Sequence, residues 1–395
     1  MPTIESLGYP LVFSVANDRP ASSERADQVI VRAEVRCLEG MQKEAVIRVG
    51  SGLMWRMVSD EGPYLNGTDL APFPLAFFTA GMQFSFLSQL LQSARARSIA
   101  IASVTQSQDN FYSMGGSFLR GDATGGAMPA RVEVSIESDA DPDDVLRLVK
   151  MAVASSGPQA LMRDALTNVF ALRHNGKRCD VDGLQASGSA HDKAPAFEGV
   201  TPDTANPDSD GIITKVRQAE KVHGVEGGAG SSLKTEQKRT LHVHGKARVT
   251  DGMAMETDIE LFKPIGSSFR FRCDEVPDNG GAERAPPPLA YVSAGVGFCY
   301  MTQLGRYAHI LGKPLSSYSL IQENAFAFQG SVAQGTRSVT AQPTDTHVFI
   351  DSDEDDDVAA DFVRTGERTC FLHAAMRGQH PSDIHLRLNG LDVTL

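Results

Sequence analysis

The sequence lacks the features that mark membrane proteins, secreted disulfide frameworks and zinc modules. No stretch approaches the roughly 18 apolar residues of a membrane span, and the N-terminal MPTIESLGYPLVFSVANDRP has neither a basic segment nor a sustained apolar run. The five cysteines are an odd number at wide spacings, without a CxxC motif or Cys/His pairs. We therefore expect a cytoplasmic protein without membrane contact, in which any thiol chemistry comes from individual cysteines.

Positive charge is also scarce. The 395 residues include 37 Lys and Arg against 49 Asp and Glu, a formal net charge of −12, which argues against general nucleic-acid binding. Apolar residues make up 41% and charged residues 22%, a balance typical of globular proteins. The length is typical of two or three domains.

An internal repeat organises the chain. Residues 55–81 align without gaps on residues 269–295, and twelve of the 27 aligned pairs are identical. The same offset of 214 residues persists downstream, where Asn175 and Gly176 align with Asn389 and Gly390. Each copy is over 100 residues long, so each is predicted to be a domain rather than a solenoid unit. The two copies are expected to form a pseudo-symmetric unit that resembles a homodimer.

The repeat predicts a first domain at 1–176, a linker at 177–239 and a second domain at 240–395. The linker is rich in Gly, Ser, Pro and Asp, as in a tether, with a weak helical pattern in IITKVRQAEKV. Each copy contains strands, a long apolar helix (74–98 and 288–311), strands, a second helix (142–166 in the first copy) and a last strand. This order predicts an α+β fold with a central helix in each half.

Two cysteines distinguish the copies. Cys299 lies in the first helix of copy two and Cys370 in the second helix, and their equivalents in copy one are Ser85 and Ser156. Such cysteines are either small buried apolar residues or reactive thiols, and a reactive thiol needs a nearby cation or a helix N-terminus.

Two residues of copy two are candidates to support a thiolate. His373 lies three residues after Cys370, and Arg306 lies about two helical turns after Cys299. Each is also explained as a surface residue or a packing partner. The remaining cysteines, Cys37, Cys179 and Cys273, are expected to be structural or incidental.

Metal ligation has little support in the sequence. His242 and His244 have strand spacing that places both on one face, but without a visible third ligand solvent exposure is the favoured interpretation. The acidic segments ESDADPDDV and DSDEDDDV precede helices, where Ser and Asp cap free amides, and both lack the pattern of an EF-hand. We predict no metal and no resident cofactor.

The copies resemble the OsmC/Ohr family of thiol-dependent peroxide-handling proteins. The resemblance rests on the order of elements, the segment GG…PPPLAYVSAGVGFCYM, and a second Cys about 70 residues later. It implies long central helices wrapped by antiparallel sheets, with sites at the interface of a dimer that this chain would build within itself; further oligomerisation stays open. By position, Cys299 would attack the peroxide and Cys370 would resolve the sulfenic acid as a disulfide.

The chain departs from the family pattern in the residues that activate the thiol. The expected Glu after the helix-opening proline is replaced by Leu289, and the usual Arg-bearing loop is not recognisable in HGKARVTDGMAMET. Arg284, or Arg95 or Arg97 from copy one, could replace that arginine across the interface. Copy one, with serines and no evident base, is interpreted as a degenerate site.

Three functions remain open from the sequence. The first is a peroxidase that reduces organic hydroperoxides, using an external lipoyl or other dithiol reductant. The second is a diverged transfer or hydrolytic enzyme that acts on a small, apolar organic metabolite through a thiol. The third is a non-catalytic small-molecule-binding protein in which both thiols belong to the core.

Overall fold

The computed structural model describes residues 1–16, 28–204, 211–220 and 239–394. The helices are α1 (Ile4–Leu7), α2 (Pro74–Ala96), α3 (Pro142–Ser155), α4 (Gly157–Arg163), α5 (Pro288–Ile310), α6 (Asp356–Thr369) and α7 (Phe371–Arg377). The strands are β1 (Val12–Ser14), β2 (Gln28–Cys37), β3 (Lys43–Val49), β4 (Met54–Ser59), β5 (Ser103–Gly115), β6 (Thr124–Ala127), β7 (Arg131–Glu137), β8 (Val169–His174), β9 (Lys177–Cys179), β10 (Gln185–Ala186), β11 (Ile213–Arg217), β12 (Arg239–Asp251), β13 (Ala254–Lys263), β14 (Ser268–Cys273), β15 (Ser317–Gln329), β16 (Ser338–Ala341), β17 (Asp345–Asp351), β18 (Asp383–Leu388) and β19 (Leu391–Val393). The predicted α+β class is confirmed.

Helices α2 and α5 pack against each other at the centre of the molecule. Each begins at a proline, whose fixed backbone angle and missing N–H suit the first helical position. Glycines allow the close approach: a Cβ at Gly81 would lie 2.6 Å from a methyl of Val292, and one at Gly295 would lie 2.7 Å from the backbone nitrogen of Phe78. Both helices are apolar nearly all round because they are buried between layers on every side.

Two sheets enclose the helices, and each takes strands from both copies of the repeat. One sheet has the strand order β1-β4-β3-β2-β15-β17-β8-β10, and the other has β11-β14-β13-β12-β5-β7-β18-β19. Most neighbours are antiparallel; β17 with β8, β8 with β10, and β7 with β18 are parallel. Helix α5 lies on the first sheet and α2 on the second. Strand β2 of copy one therefore pairs directly with β15 of copy two.

The second helix of each copy is broken, which the sequence analysis did not predict. Ser156 separates α3 from α4 and Cys370 separates α6 from α7, each with extended backbone angles. In copy one, Pro158 disfavours helical geometry for the residue before it. Copy two has no proline there, so its break depends on tertiary packing. Asp141 and Asp355 cap the preceding helices, as the capping interpretation expects.

The predicted linker contains regular structure where it is described. Strands β9, β10 and β11 lie within 177–239, and β11 replaces the weakly predicted helix because it pairs with the edge strand β14. Phe197 and Val200 pack in a small apolar cluster with residues of β1, β3 and β4. Residues 205–210 and 221–238 lie outside the described part of the chain. None of the described helices combines the length and hydropathy that a membrane crossing requires.

Candidate active site at the two cysteines

The structure brings Cys299 and Cys370 into contact. Cys299 lies in α5, and Cys370 lies in the break between α6 and α7, where its thiol donates a hydrogen bond to the sulfur of Cys299 over 3.4 Å. Burial, with the contact to Cys299, raises the pKa of Cys370 well above its ordinary value. Cys370 is therefore a neutral thiol and hydrogen-bond donor in the resting protein. The sulfurs must approach by about 1.4 Å to form a bond of normal length.

Cys299 faces a small cavity between the two copies of the repeat. Its volume is about 20 Å³, enough for one water-sized group. Most of the lining is apolar, with a few polar side chains. The lining residues are Glu61, Tyr64, Leu65, Phe73, Pro74, Leu75, Arg239, Leu241, Leu261, Cys299, Thr302, Gln303 and Phe371. Copy one supplies the loop after β4 and the start of α2, and copy two supplies the strands and the thiol.

Arg239 is the main polar feature of this cavity. Its side chain is fully buried at the start of β12, and none of its three guanidinium nitrogens has a hydrogen-bond partner among the described residues. The hydroxyl of Thr302, one turn after Cys299, is also buried without such a partner. Unsatisfied buried donors are costly, so their presence beside a thiol indicates a place for an anion or for an acceptor oxygen.

Glu61 reaches the same cavity from copy one. Its Oε2 accepts a hydrogen bond of 2.6 Å from the hydroxyl of Tyr64. Burial raises the pKa of Glu61, an effect opposed by the charges of Lys43 and Arg239. Burial likewise lowers the pKa of Lys43, which is in electrostatic contact with Glu61, Asp60 and Cys299.

The charges around Cys299 form one buried group. Arg306 lies in α5 and interacts with Arg239 and Glu61, and burial lowers its pKa to about 9. Three cations, Lys43, Arg239 and Arg306, thus accompany two carboxyls, Asp60 and Glu61. One additional negative charge would make the group neutral. A thiolate at Cys299 supplies that charge next to Lys43 and the Arg239 cavity.

The support residues proposed from the sequence have different fates. The backbone N–H of His373 donates to Cys370 Sγ over 3.5 Å, but the imidazole packs against Phe170 and Tyr300. Burial lowers the pKa of His373 to about 3, so the ring is neutral and supplies no cation. Arg306 belongs to the charged group, although it does not line the cavity. Arg284 is exposed and paired with Asp274, away from the thiols.

The serines of copy one repeat the arrangement of the thiols. Ser156 donates a hydrogen bond of 3.1 Å to Ser85, and Ser156 lies in the break between α3 and α4. Here Ser88 donates to Glu275 over 2.5 Å, and the side-chain amide of Asn279 donates to the other oxygen of Glu275 over 2.9 Å. The carboxyl equivalent to Glu61 is therefore saturated by neighbours.

His242 and His244 contact a third group that the sequence did not reveal. Asp109 on the adjacent strand β5 lies 2.6 Å from Nε2 of His242 and 2.8 Å from Nδ1 of His244. Both rings are half-buried, and Phe111 stacks on His242. In the described ranges no group of three or more His, Cys, Asp or Glu is placed to hold a metal ion.

Sequence reasoning missed the polar side chains that face Cys299. Glu61 is one of the twelve identities of the repeat, but the expected acid was sought in copy two, whereas this one comes from copy one across the interface. Arg239 was assigned to the last residue of the linker and is instead the first residue of β12. The identity of Glu61 with Glu275 was the available signal for the carboxyl; nothing marked the arginine.

Comparison with known proteins gives one distant match. No protein-family model matches the chain, and no curated protein matches it. Among solved structures, an OsmC-like hydroperoxide resistance protein from Jannaschia sp. CCS1 shares 18% sequence identity at a TM-score of 0.26. The match covers 39% of this chain and 97% of that chain. A similarity of this strength assigns neither a family nor an activity to the protein.

Proposed function

We propose that the protein is a thiol-dependent peroxidase that reduces organic hydroperoxides through Cys299 and Cys370. The observation that carries the proposal is the 3.4 Å contact between the two sulfurs, one of which faces a cavity with an unpaired arginine. The resemblance of the helix-one and helix-two cysteines to the OsmC/Ohr pattern gives the reaction class.

The proposed reaction has two chemical steps. The Cys299 thiolate attacks the distal oxygen of the hydroperoxide; an S–O bond forms, the O–O bond breaks, and the alkoxide takes one proton from water and leaves as the alcohol. The Cys370 thiol then attacks the sulfenic acid at Cys299, so that the S–S bond forms and water leaves with the thiol proton. A lipoyl or other dithiol reduces the disulfide and completes the cycle.

The charged residues have distinct roles in this proposal. Arg239 and Lys43 stabilise the negative charge at Cys299 before attack, and Arg239 donates to the peroxide oxygens. Glu61, with Tyr64, limits the excess positive charge in the cavity. The volume of about 20 Å³ accepts the peroxide group, while the organic part lies along the apolar lining or displaces it. This favours apolar hydroperoxides.

The proposal includes a duplicated origin. We infer that the copies form a pseudo-dimer in which copy two carries the reactive thiols and copy one completes the cavity. The recurrence of the element order, the matched breaks at Ser156 and Cys370, and the aligned Gly81 and Gly295 at the helix contact support this inference.

A non-catalytic role is the second candidate, because both thiols are buried: Cys299 is 2% exposed and Cys370 is fully enclosed. In that case both thiols belong to the core, and alkylating reagents react with them only after unfolding. The unpaired guanidinium of Arg239 beside Cys299 favours the peroxidase, since an apolar core has no use for it.

A mass-spectrometric thiol count before and after one equivalent of cumene hydroperoxide tests the proposal. A disulfide between Cys299 and Cys370 is expected within seconds, and Cys299→Ser should abolish it. Cys273→Ser is the matched control, because Cys273 is equally buried and its equivalent in copy one is Ser59. Unchanged thiols in the parent protein, or peroxide consumption no faster than by free cysteine, would contradict the proposal.

A further inference from the structure

A line of buried polar side chains runs along β5 on its core side. The amide of Gln106 donates to Gln108 over 3.0 Å, that of Gln108 to Asn110 over 2.7 Å, and that of Asn110 to the hydroxyl of Tyr112 over 3.2 Å. Met82 Sδ accepts from both Gln108 and Asn110, which fixes the direction of the amides. Every bond points towards Tyr112. Its hydroxyl accepts at the end of the line and keeps its own proton for donation elsewhere.

The end of this line lies beside the thiols. The ring of Tyr112 packs against Phe371, the residue after Cys370, with ring centroids 5.9 Å apart. Gly125 on the neighbouring strand β6 approaches the backbone of the helix break so closely that a Cβ would lie 2.6 Å from the carbonyl oxygen of Thr369. Tyr112 is fully buried and in electrostatic contact with both Cys299 and Cys370.

The other half of the molecule lacks this hydroxyl. At the offset of 214 residues, Gln322 and Asn324 repeat two of the amides, but Phe326 replaces Tyr112. The ring of Phe326 lies against Gly157, next to Ser156, just as Tyr112 lies beside Cys370. The hydroxyl is thus present where the pair is Cys/Cys and absent where the pair is Ser/Ser. A purely structural role for the hydroxyl would not follow this division.

We propose that Tyr112 is a positioning residue for the thiol pair, whose hydroxyl donates a hydrogen bond to the negatively charged sulfur of Cys299 or Cys370. The inference rests on the proposed function for its chemical setting. The amide line polarises the hydroxyl and orients it, and the bond stabilises a single negative charge shared by the two sulfurs. Tyr112 keeps its proton throughout, because burial raises its pKa.

The test is the rate of alkylation of Cys299 by iodoacetamide in the native protein as a function of pH. Tyr112→Phe copies the residue at position 326, and it should move the midpoint of the profile upward by about one pH unit, with alkylation about tenfold slower below it. The charged groups around the thiol pair, Lys43, Asp60, Glu61, Arg239 and Arg306, are the same in both proteins. The shift therefore reports the hydroxyl alone.

Tyr291→Phe is the matched control. Tyr291 is also buried, and its hydroxyl donates to the carbonyl of Arg272 over 2.5 Å, so its loss should weaken the fold without moving the profile. Superimposable profiles for Tyr112→Phe and the parent protein would overturn the inference, as would a parent protein whose Cys299 does not alkylate while folded. A profile that depends on Tyr112, in a protein that forms no disulfide with peroxide, would instead contradict only the proposed peroxidase.

Discussion

The hydroxyl of Ser156 stands to that of Ser85 as the thiol of Cys370 stands to that of Cys299. The contacts are 3.1 Å and 3.4 Å, and each joins a long apolar helix to the break in the second helix. The surroundings differ. Glu275 is saturated by Ser88 and Asn279 beside the serines, whereas the cavity beside the thiols holds an arginine without a partner among the described residues. Geometry is therefore shared by the two sites, and the charged environment is not.

Replacing both serines by cysteine tests which of these properties matters. In Ser85→Cys/Ser156→Cys, the new thiols should form a disulfide with diamide, since the side chains are already in contact. They should not do so within seconds of adding cumene hydroperoxide, because no cation is available to stabilise a thiolate there. Disulfide mapping by mass spectrometry measures both reactions, with the native Cys299–Cys370 pair as internal reference. Equal rates at the two sites would show that the charges around Cys299 are dispensable.

Arg239→Met should separate reactivity from stability. The substitution removes the cation in the Cys299 cavity, so native-state alkylation and peroxide oxidation of Cys299 should slow by about 10- to 100-fold. The free energy of unfolding should not fall, because a buried guanidinium without partners contributes little or negative stability. Arg284→Met, which removes an exposed arginine paired with Asp274, is the control and should leave both rates unchanged. A comparable loss of rate in the two variants would contradict this role.

His373 should make the fold sensitive to acid. Its pKa is about 3 in the folded protein, below its ordinary value of 6.5, so between these values the unfolded chain binds a proton that the folded chain does not. Stability from the neutral ring is complete above pH 6.5 and is lost as the pH falls towards 3. His373→Gln, which copies Gln159 of copy one, should reduce the slope of unfolding free energy between pH 6 and pH 4 by about 1.4 kcal/mol per pH unit.

Urea unfolding at several pH values measures this slope. His385→Gln changes an exposed histidine of β18 and serves as control, because its solvated ring gains or loses little on folding. A parent protein and a His373→Gln variant with parallel pH dependence would show that the imidazole is charged, or accessible to solvent, in the folded state.

The contact between the central helices should not tolerate a methyl group. Gly81→Ala places a Cβ 2.6 Å from Val292 and should lower the free energy of unfolding by about 1–3 kcal/mol. Gly115→Ala is the matched control, since a Cβ there meets no atom within 4 Å. Equilibrium unfolding in urea compares the two. Equal stabilities would mean that α2 and α5 can separate at this point without cost.

Local sequence patterns were sufficient for the helices and most strands, and insufficient for what surrounds Cys299. The apolar run from Pro288 identified the central helix because its periodicity is a local property. The break at Cys370 has no proline or glycine beside it, so only packing against β6 reveals it. Arg239 and Glu61 reach the cavity from different copies, and no pattern within one segment specifies a neighbour so far along the chain.

The exchange of strands also has a consequence for synthesis. Arg32 of β2 pairs with Glu323 of β15, 291 residues later. At a synthesis rate of about 5–20 residues per second, β2 waits roughly 15 to 60 s for the strand that covers its edge. During that interval the nascent first half presents an open, apolar sheet edge, which is a template for association with other chains. The ribosome-bound chain, rather than the finished protein, is therefore the form most exposed to aggregation and most dependent on chaperones.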